Sequence, residues 1–162
     1  MHQNEIDAEL AAAAELLDST QAAHLAYVAE DGAPRVLPVA FFWTGTEFVV
    51  STAATAPKVA SLVAGPEVAL AIDAGGTPGD ARTLSVRGTA QVTIVDGVVE
   101  EYLAAARRSM DPEAAAGFEA SVRALYDRMA RIAIAPRWAR FYDFGVGRVP
   151  RFLRELADRQ GS

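Results

Sequence analysis

Three extended segments and two turns make up residues 23–52, AHLAYVAEDGAPRVLPVAFFWTGTEFVVST. Asp31-Gly32 offers the residue pair of a tight hairpin turn, and the glycine at 45, between two threonines, offers a second turn. Alternating, β-branched and aromatic residues separate these turns. The stretch therefore predicts three consecutive antiparallel strands, at 23–29, 35–43 and 47–52. Pro38 lacks a backbone donor, so we expect it at a sheet edge or at a bulge.

The residues after this stretch predict a short helix and two more strands. Thr55 is the predicted N-cap of the helix, Pro57 suits its first turn, and Gly65-Pro66 ends it. The next predicted segments are a strand at 68–73, a glycine-rich surface loop at 74–80 and a long strand at 83–95. Gly88 lies inside the long strand, where a glycine marks a bulge or a bend.

The flanks of this core are largely helical by prediction. They comprise one amphipathic helix at 5–19, a helical insertion at 98–129, two closing strands at 130–135 and 138–144, and a C-terminal helix at 150–158. Asp111 and Pro112 open the second helix of the insertion, and Pro136 separates the two closing strands. We interpret the chain, 1–162, as one α+β domain in which residues 23–96 form the core of an antiparallel barrel or open sheet.

Composition excludes several classes of protein. The chain has 162 residues, 51% of them apolar, which is sufficient for one hydrophobic core. The lack of cysteine excludes disulfides, thiolate metal sites and a cysteine nucleophile, and it favours a reducing compartment. A net charge of −6 without a basic cluster argues against nucleic acid, and no apolar window approaches the length of a membrane span. We expect a cytoplasmic protein with neither a membrane nor a nucleic acid as partner.

A series of motifs spread over residues 23–96 resembles one known family. The series is His24-Leu25-Ala26-Tyr27-Val28, Asp31-Gly32-Ala33-Pro34-Arg35, Pro38-Val39-Ala40-Phe41-Phe42-Trp43, Ser51-Thr52, Pro57-Lys58-Val59, Gly65-Pro66-Glu67-Val68 and Val86-Arg87-Gly88-Thr89-Ala90. In their order and spacing, these motifs resemble the pyridoxamine 5′-phosphate oxidase-like, flavin-binding split β-barrel family. Residues 131–144 resemble the same family more loosely.

The resemblance implies a six-stranded antiparallel split β-barrel that forms a homodimer, with a cofactor in each of two clefts at the dimer interface. It implies an oxidoreductase that binds FMN and transfers hydride to or from a small molecule. Two alternatives stay open: a reductase that uses the deazaflavin coenzyme F-420, and a non-catalytic module that binds flavin or haem. The alanine- and arginine-rich composition favours the deazaflavin. The lack of further basic residues near Lys58 in the sequence favours the shorter FMN phosphate.

The candidate phosphate site lies where the third strand passes into the short helix. Ser51, Thr52 and Thr55 offer hydroxyl groups, and Lys58, the only lysine among 15 basic residues, offers an ammonium group. Unpaired N–H groups at the start of a helix also favour an anion. The alternative is that Thr55 only caps the helix and that Lys58 is an ordinary solvated side chain.

Further cofactor contacts are predicted on strands two and five. Pro38, Val39 and Phe41 are candidates for contact with the flavin ring, although core packing accounts for the same residue types. Arg87 lies on the polar face of its strand and needs a phosphate, a carboxylate or the other subunit as its partner. Residues 142–144 are candidates for covering the ring in the partner's cleft, or else they form an aromatic-lined final strand.

No side chain is assigned a catalytic or a metal-binding role. His24 has no acidic residue at a fixed local spacing, so we interpret it as a structural histidine. The cofactor would carry the redox chemistry. Authentic pyridoxamine 5′-phosphate oxidases have an Arg-x-His substrate clamp, and no histidine follows His24 here. Oxidation of vitamin B6 is therefore not expected.

Overall fold

Six antiparallel strands close into a barrel in the computed structural model, which describes residues 1–160. The strands are β1 (Ala22–Val28), β2 (Pro34–Trp43), β3 (Phe48–Ala53), β4 (Glu67–Ala74), β5 (Arg82–Asp96) and β6 (Arg128–Asp143). Their order around the barrel is β1-β2-β3-β6-β5-β4, and β4 pairs with β1 to close it. This architecture confirms the predicted α+β fold with a six-stranded antiparallel barrel.

Helices lie at both ends of the chain and in its two longer connections. They are α1 (Gln3–Ala12), α2 (Ala14–Ser19), α3 (Pro57–Leu62), α4 (Glu100–Ser109), α5 (Pro112–Leu125) and α6 (Arg151–Gln160), with a 3-10 turn at Phe144–Val146. The Asp111 side chain accepts a hydrogen bond from the Ala114 backbone N–H at 2.9 Å, as predicted for the cap of α5. No helix within residues 1–160 is long and apolar enough to span a bilayer.

Two apolar clusters stabilise the fold. The main cluster fills the barrel and the space beneath α1 and α2, and its largest fully buried side chains include Phe41, Phe48, Leu70, Ile72, Leu84 and Ile132. The second cluster packs α4 and α5 against β3 and β6 through Val49, Val98, Val99, Leu103, Val122 and Met129. Burial of each large side chain contributes about 1.5–3 kcal/mol to folding. The insertion is therefore part of the hydrophobic structure rather than a loose appendage.

The N-terminal helix differs from its prediction. A single helix was expected over 5–19, but the chain turns at the fully buried Ala13 and forms two helices. The break allows α1 to pack on β6 through Ile6 and Leu10 while α2 packs along β4. Apolar packing thus overrides the continuous helical propensity of this alanine-rich segment.

The last strand also differs from its prediction. Two strands around Pro136 were expected, and residues up to Met129 were expected to belong to the insertion. Instead α5 ends at Leu125, and β6 is one strand of 16 residues that starts at Arg128. Gly88 pairs with Pro136 but Arg87 pairs with Trp138, so one extra residue forms a β-bulge in β6. The bulge accommodates the proline without ending the strand, and it confirms the irregularity predicted at Gly88.

Candidate functional site

A fork between β2 and β3 forms the candidate site. The two strands pair at Trp43–Phe48, Phe42–Val49 and Phe41–Val50, and their pairing ends there. β2 continues to Pro34 while paired only with β1. The opposite edge of β2 is therefore free of a strand partner over residues 34–40. In the same register, the next opposed positions are Ala40 and Ser51, followed by Val39 and Thr52, and they lie on the two arms of the fork.

Pro38 lies on the open edge of β2. The Phe41 N–H donates to the Gln21 carbonyl at 3.4 Å, on the β1 side, so every second N–H of β2 points to β1. Pro38 is three residues from Phe41, an odd number, so its nitrogen points away from β1 and faces the open side. The proline therefore removes no ladder hydrogen bond, and the prediction of an edge position is confirmed. The carbonyl of Pro38 and the N–H of Ala40 face the same side.

The side chains of Val39 and Phe41 point into the barrel. Val39 is 8% exposed and Phe41 is 2% exposed, and the Phe41 ring packs against the Phe48 ring with centroids 5.9 Å apart. Both residues belong to the main apolar cluster. Core packing therefore accounts for Phe41, whereas Val39 packs in the core and also borders the fork.

Thr52 and Lys58 come together at the mouth of the fork. The Lys58 ammonium group donates to Thr52 Oγ1 at 3.3 Å, and both side chains are half-buried. Pro57 begins α3 with the right geometry, but Ala56, not Thr55, is the N-cap, and Thr55 is exposed. The capping role expected for Thr55 is therefore wrong. A half-buried ammonium group beside a hydroxyl is a favourable donor set for an anion.

Ser51 points to the opposite face of β3 from Thr52, because side chains alternate along a strand. It lies opposite Arg131 of β6, whose guanidinium group bonds to Glu101 at 2.6 Å and to Glu47 at 3.2 Å. Burial is the largest single influence on Glu101 and opposes its ionisation, but the hydrogen bond from Arg131, a backbone hydrogen bond and the charge of Arg131 together lower the pKa of Glu101. The same bond to Glu101 raises the pKa of Arg131. The outer face of the fork is thus neutralised by internal ion pairs, whereas Lys58 is not paired with a carboxylate among the described residues.

Arg87 lies away from the Thr52–Lys58 pair. Ile94 of β5 is in the same cross-strand row as Thr52, and Arg87 is seven residues from Ile94, or about 23 Å along the strand. Its guanidinium group stacks over the Trp138 ring at 4.5 Å and lines an apolar cleft of about 290 Å³. Residues 142–144 lie farther along the chain, at the end of β6 and the start of the 3-10 turn, so neither candidate meets Lys58 within one chain.

Arg128 was not predicted as a site residue. Its carbonyl accepts a hydrogen bond from the Ala54 N–H at 3.4 Å, and its side chain is exposed. Arg128 lies on the same face of β6 as Ala130, the residue that opposes Thr52. Its expected place inside a helix concealed this position. An Asp-Arg pair just before a buried alternating run is the signal that could have revealed it.

His24 lies outside the fork at the β1–β4 pair. Its Nδ1 atom is 3.6 Å from the Asp73 carboxylate, and both side chains are more than half exposed. The pair is accessible to water and links neighbouring strands. It shares no contact with Thr52 or Lys58.

Comparisons with known proteins agree with this architecture. A solved structure of a conserved hypothetical protein from Mycobacterium tuberculosis is 21% identical, with a TM-score of 0.64 over 93% of this chain and 90% of that one. An F-420 reductase is 28% identical, with a TM-score of 0.58 over 77% and 93%. The haem storage protein HutZ from Vibrio cholerae is 16% identical, with a TM-score of 0.58 over 81% and 92%.

The sequence itself identifies the family. A search of curated proteins finds no match. The family model described as pyridoxamine 5′-phosphate oxidase matches residues 10–142, which include the whole barrel except the last residue of β6. The resemblance seen in the motifs is therefore confirmed, and the chain belongs to the pyridoxamine 5′-phosphate oxidase family.

Proposed function

We propose that this protein is an oxidoreductase that binds FMN and transfers hydride to or from a small molecule. The observation that carries the proposal is the contact between Lys58 and Thr52 at the mouth of the β2–β3 fork. A flavin mononucleotide needs a cationic corner for its phosphate and a flat slot with a few polar groups for its ring. The donor set at Thr52 and Lys58 fits the phosphate. The open edge of β2 at Pro38 and Ala40 fits the polar side of the ring.

The roles of the chain's own residues follow from this arrangement. Lys58 and Thr52 would bind the phosphate, with the exposed Thr55 as a further donor, while Val39 would contact the ring from the core side. When bound, FMN supplies the hydride chemistry. The protein supplies position and exclusion of water, and no side chain is required as an acid or a base. We further propose that it acts in the cytoplasm, in keeping with its lack of cysteine.

A deazaflavin is the second candidate cofactor. An F-420 reductase is among the structural relatives, at 28% identity, and Arg128 adds a second cation on the face of the sheet that carries Thr52. Coenzyme F-420 has an acidic tail beyond its phosphate, which a second cation would favour. Titration of the purified protein with each cofactor, followed by absorbance and fluorescence, separates the candidates. If the wild type binds F-420 more tightly than FMN and Arg128→Ala loses this preference, the deazaflavin replaces FMN as the proposed cofactor. If the protein binds neither cofactor, the proposal is refuted.

Lys58→Ala tests the phosphate site. We expect FMN to bind about tenfold to a hundredfold more weakly, because one charge-assisted hydrogen bond contributes about 1.5–3 kcal/mol. The measurement is a fluorescence titration. Arg137→Ala is the matched control, because it removes an exposed cation whose one hydrogen bond, to Thr89, is 3.5 Å long. Equal affinities of the wild type and the Lys58 variant would remove Lys58 from the site.

We also propose that the protein is a homodimer. The last helix, α6, exposes 60% of Phe152 and 47% of Leu156, one helical turn apart on the same side. A helix of ten residues is marginal by itself in water, so its apolar side is expected to pack against another surface. Val28 and Val36 are exposed as well, on the barrel beside the apolar cleft. A second copy of the chain would cover such surfaces, as the family resemblance implies.

Introduction of charge on the apolar side of α6 tests the dimer. The double substitution Phe152→Asp and Leu156→Asp is expected to shift the protein from dimer to monomer by at least tenfold in the dissociation constant. Arg154→Asp, on the opposite side of α6, is the control and is expected to leave the dimer intact. Analytical ultracentrifugation at several concentrations measures both. A wild-type protein that sediments as a monomer contradicts the proposal.

A further inference from the structure

A second cavity lies beside the fork, between the insertion and β2. Its volume is about 150 Å³, and one side is open to solvent. One wall is the outward-facing side chain of Ala40 on β2. Gln21, just before β1, also lines the cavity, and the other walls come from α4, α5 and their connection. The residues that matter for its chemistry are Gln21, Ala40, Tyr102, Ala106, Ser109 and Phe118. The insertion thus forms a pocket that a barrel without α4 and α5 would lack.

The cavity is largely apolar, and the polar side chains that line it are Gln21, Tyr102 and Ser109. The Tyr102 ring packs against the Phe118 ring with centroids 5.6 Å apart, which fixes its direction. Within residues 1–160, no hydrogen bond involves the Tyr102 hydroxyl. The Ser109 hydroxyl, by contrast, donates to the Ala106 carbonyl at 3.1 Å and is already satisfied. Burial, with a smaller effect of Tyr126, raises the pKa of Tyr102, so its hydroxyl remains protonated at neutral pH and can donate.

Ala40 connects this cavity to the fork. Its side chain points outward into the cavity, whereas its N–H and carbonyl face the open edge of β2. Thr52 lies on the inner face across the fork, and Ser51 on the outer face. The cavity and the Thr52–Lys58 pair therefore flank the same opening in the sheet from its two faces.

We propose that this cavity binds the reacting part of the substrate, and that the substrate is a ring-sized apolar molecule with one oxygen that accepts a hydrogen bond from Tyr102. An apolar cavity of about 150 Å³ holds a benzene-sized molecule, which sets the size. The cavity lies beside the open edge of β2, which indicates that it holds the reacting part of the substrate. This role rests on the proposed function. Cyclic enones and simple quinones have this size and polarity and are chemically able to accept hydride.

Two probes of equal size test the assignment of Tyr102. Cyclohex-2-en-1-one carries the oxygen and cyclohexene does not, and ligand-observed NMR on the full chain measures the binding of each. Tyr102→Phe is expected to weaken enone binding about three- to tenfold, the value of one net hydrogen bond, and to leave cyclohexene binding unchanged. Ser109→Ala is the matched control and should affect neither probe. Equal losses for both probes in Tyr102→Phe would overturn the role of its hydroxyl.

Filling the cavity tests its location. Ala106→Leu and Ala40→Leu fill it from opposite walls, and both probes are expected to lose at least tenfold in affinity in either variant, with thermal unfolding checked for each. Undiminished binding in a folded variant, or no binding of the enone to the wild type, would overturn the proposal. The same titrations are made without FMN. If Lys58→Ala loses FMN binding and keeps enone binding, the phosphate site and the cavity are separate sites. If the wild type binds the enone but no cofactor, the proposed function is refuted and the cavity proposal is not.

Discussion

Gly88→Ala is expected to lower the free energy of unfolding by about 3 kcal/mol, since overpacking a rigid site costs about 1–3 kcal/mol and sometimes more. A Cβ atom at this position would collide with the Ala135 carbonyl oxygen and would lie 2.9 Å from Ile134 Cγ2. The carbonyl belongs to the backbone of β6, at the bulge that accommodates Pro136, so the strand itself would have to move. Urea unfolding followed by tryptophan fluorescence measures the change.

Gly117→Ala is the matched control for this prediction. Gly117 lies on the exposed side of α5, and a Cβ atom added there meets no other atom within 4 Å. Alanine is a better helix former than glycine, so we expect this variant to gain about 0.5–1 kcal/mol. Opposite signs for the same chemical change would show that the obstacle is the close approach of β5 and β6. Equal effects would contradict this account.

Glu9→Ala is expected to cost about 3 kcal/mol of stability. The Glu9 carboxylate is 8% exposed and accepts hydrogen bonds from Arg140 at 3.1 Å, from Arg148 at 2.7 Å and from the buried Phe141 N–H at 2.7 Å. Removal of one member of a buried ionic group costs about 3–5 kcal/mol, and the partial exposure of both arginines places this case at the lower end. The loss would remove the polar contacts that join α1 to the end of β6.

Glu15→Ala is the control for Glu9. Glu15 also pairs with an arginine of the barrel, Arg82, at 3.1 Å, but 86% of its side chain is exposed. Exposed pairs contribute at most about 1 kcal/mol, so the same substitution is expected to have a small effect. Denaturant unfolding of both variants provides the comparison. A loss at Glu15 as large as that at Glu9 would show that burial is not the cause.

Local signals predicted most of the barrel. The turns at Asp31-Gly32 and Gly45 and the stop at Gly65-Pro66 lie where the sequence places them, and the alternation in β5 identifies its buried face. The errors arose where tertiary contacts override local rules. Pro136 indicated the end of a strand because its pairing with Gly88 across a bulge is not visible locally. Residues 126–129 appeared helical because no glycine or proline separates them from the alanine-rich helix before them.

The candidate site was predictable only in part. The proximity of Thr52 and Lys58 follows from a strand that leads directly into a helix, so spacing alone was sufficient. Ser51 and Thr52 point to opposite faces of β3 because side chains alternate along a strand. Both were nevertheless predicted to bind the phosphate because both carry a hydroxyl group. Arg128 comes from a distant segment, and only the β3–β6 register brings it to this end of the sheet. The cavity at Tyr102 depends on how α4 packs on β2, which no single motif specifies.

The open edge of β2 has a consequence for colloidal behaviour. Pro34 and Pro38 are four residues apart on the same strand, so their ring nitrogens point the same way. Both point away from β1, toward the side that no strand covers. An intruding chain that aligned there would find donors missing at alternate positions, and intermolecular strand addition would be disfavoured. Carbonyl acceptors remain available on that side. The two prolines thus protect the protein against amyloid-like association while its edge stays accessible to a small molecule.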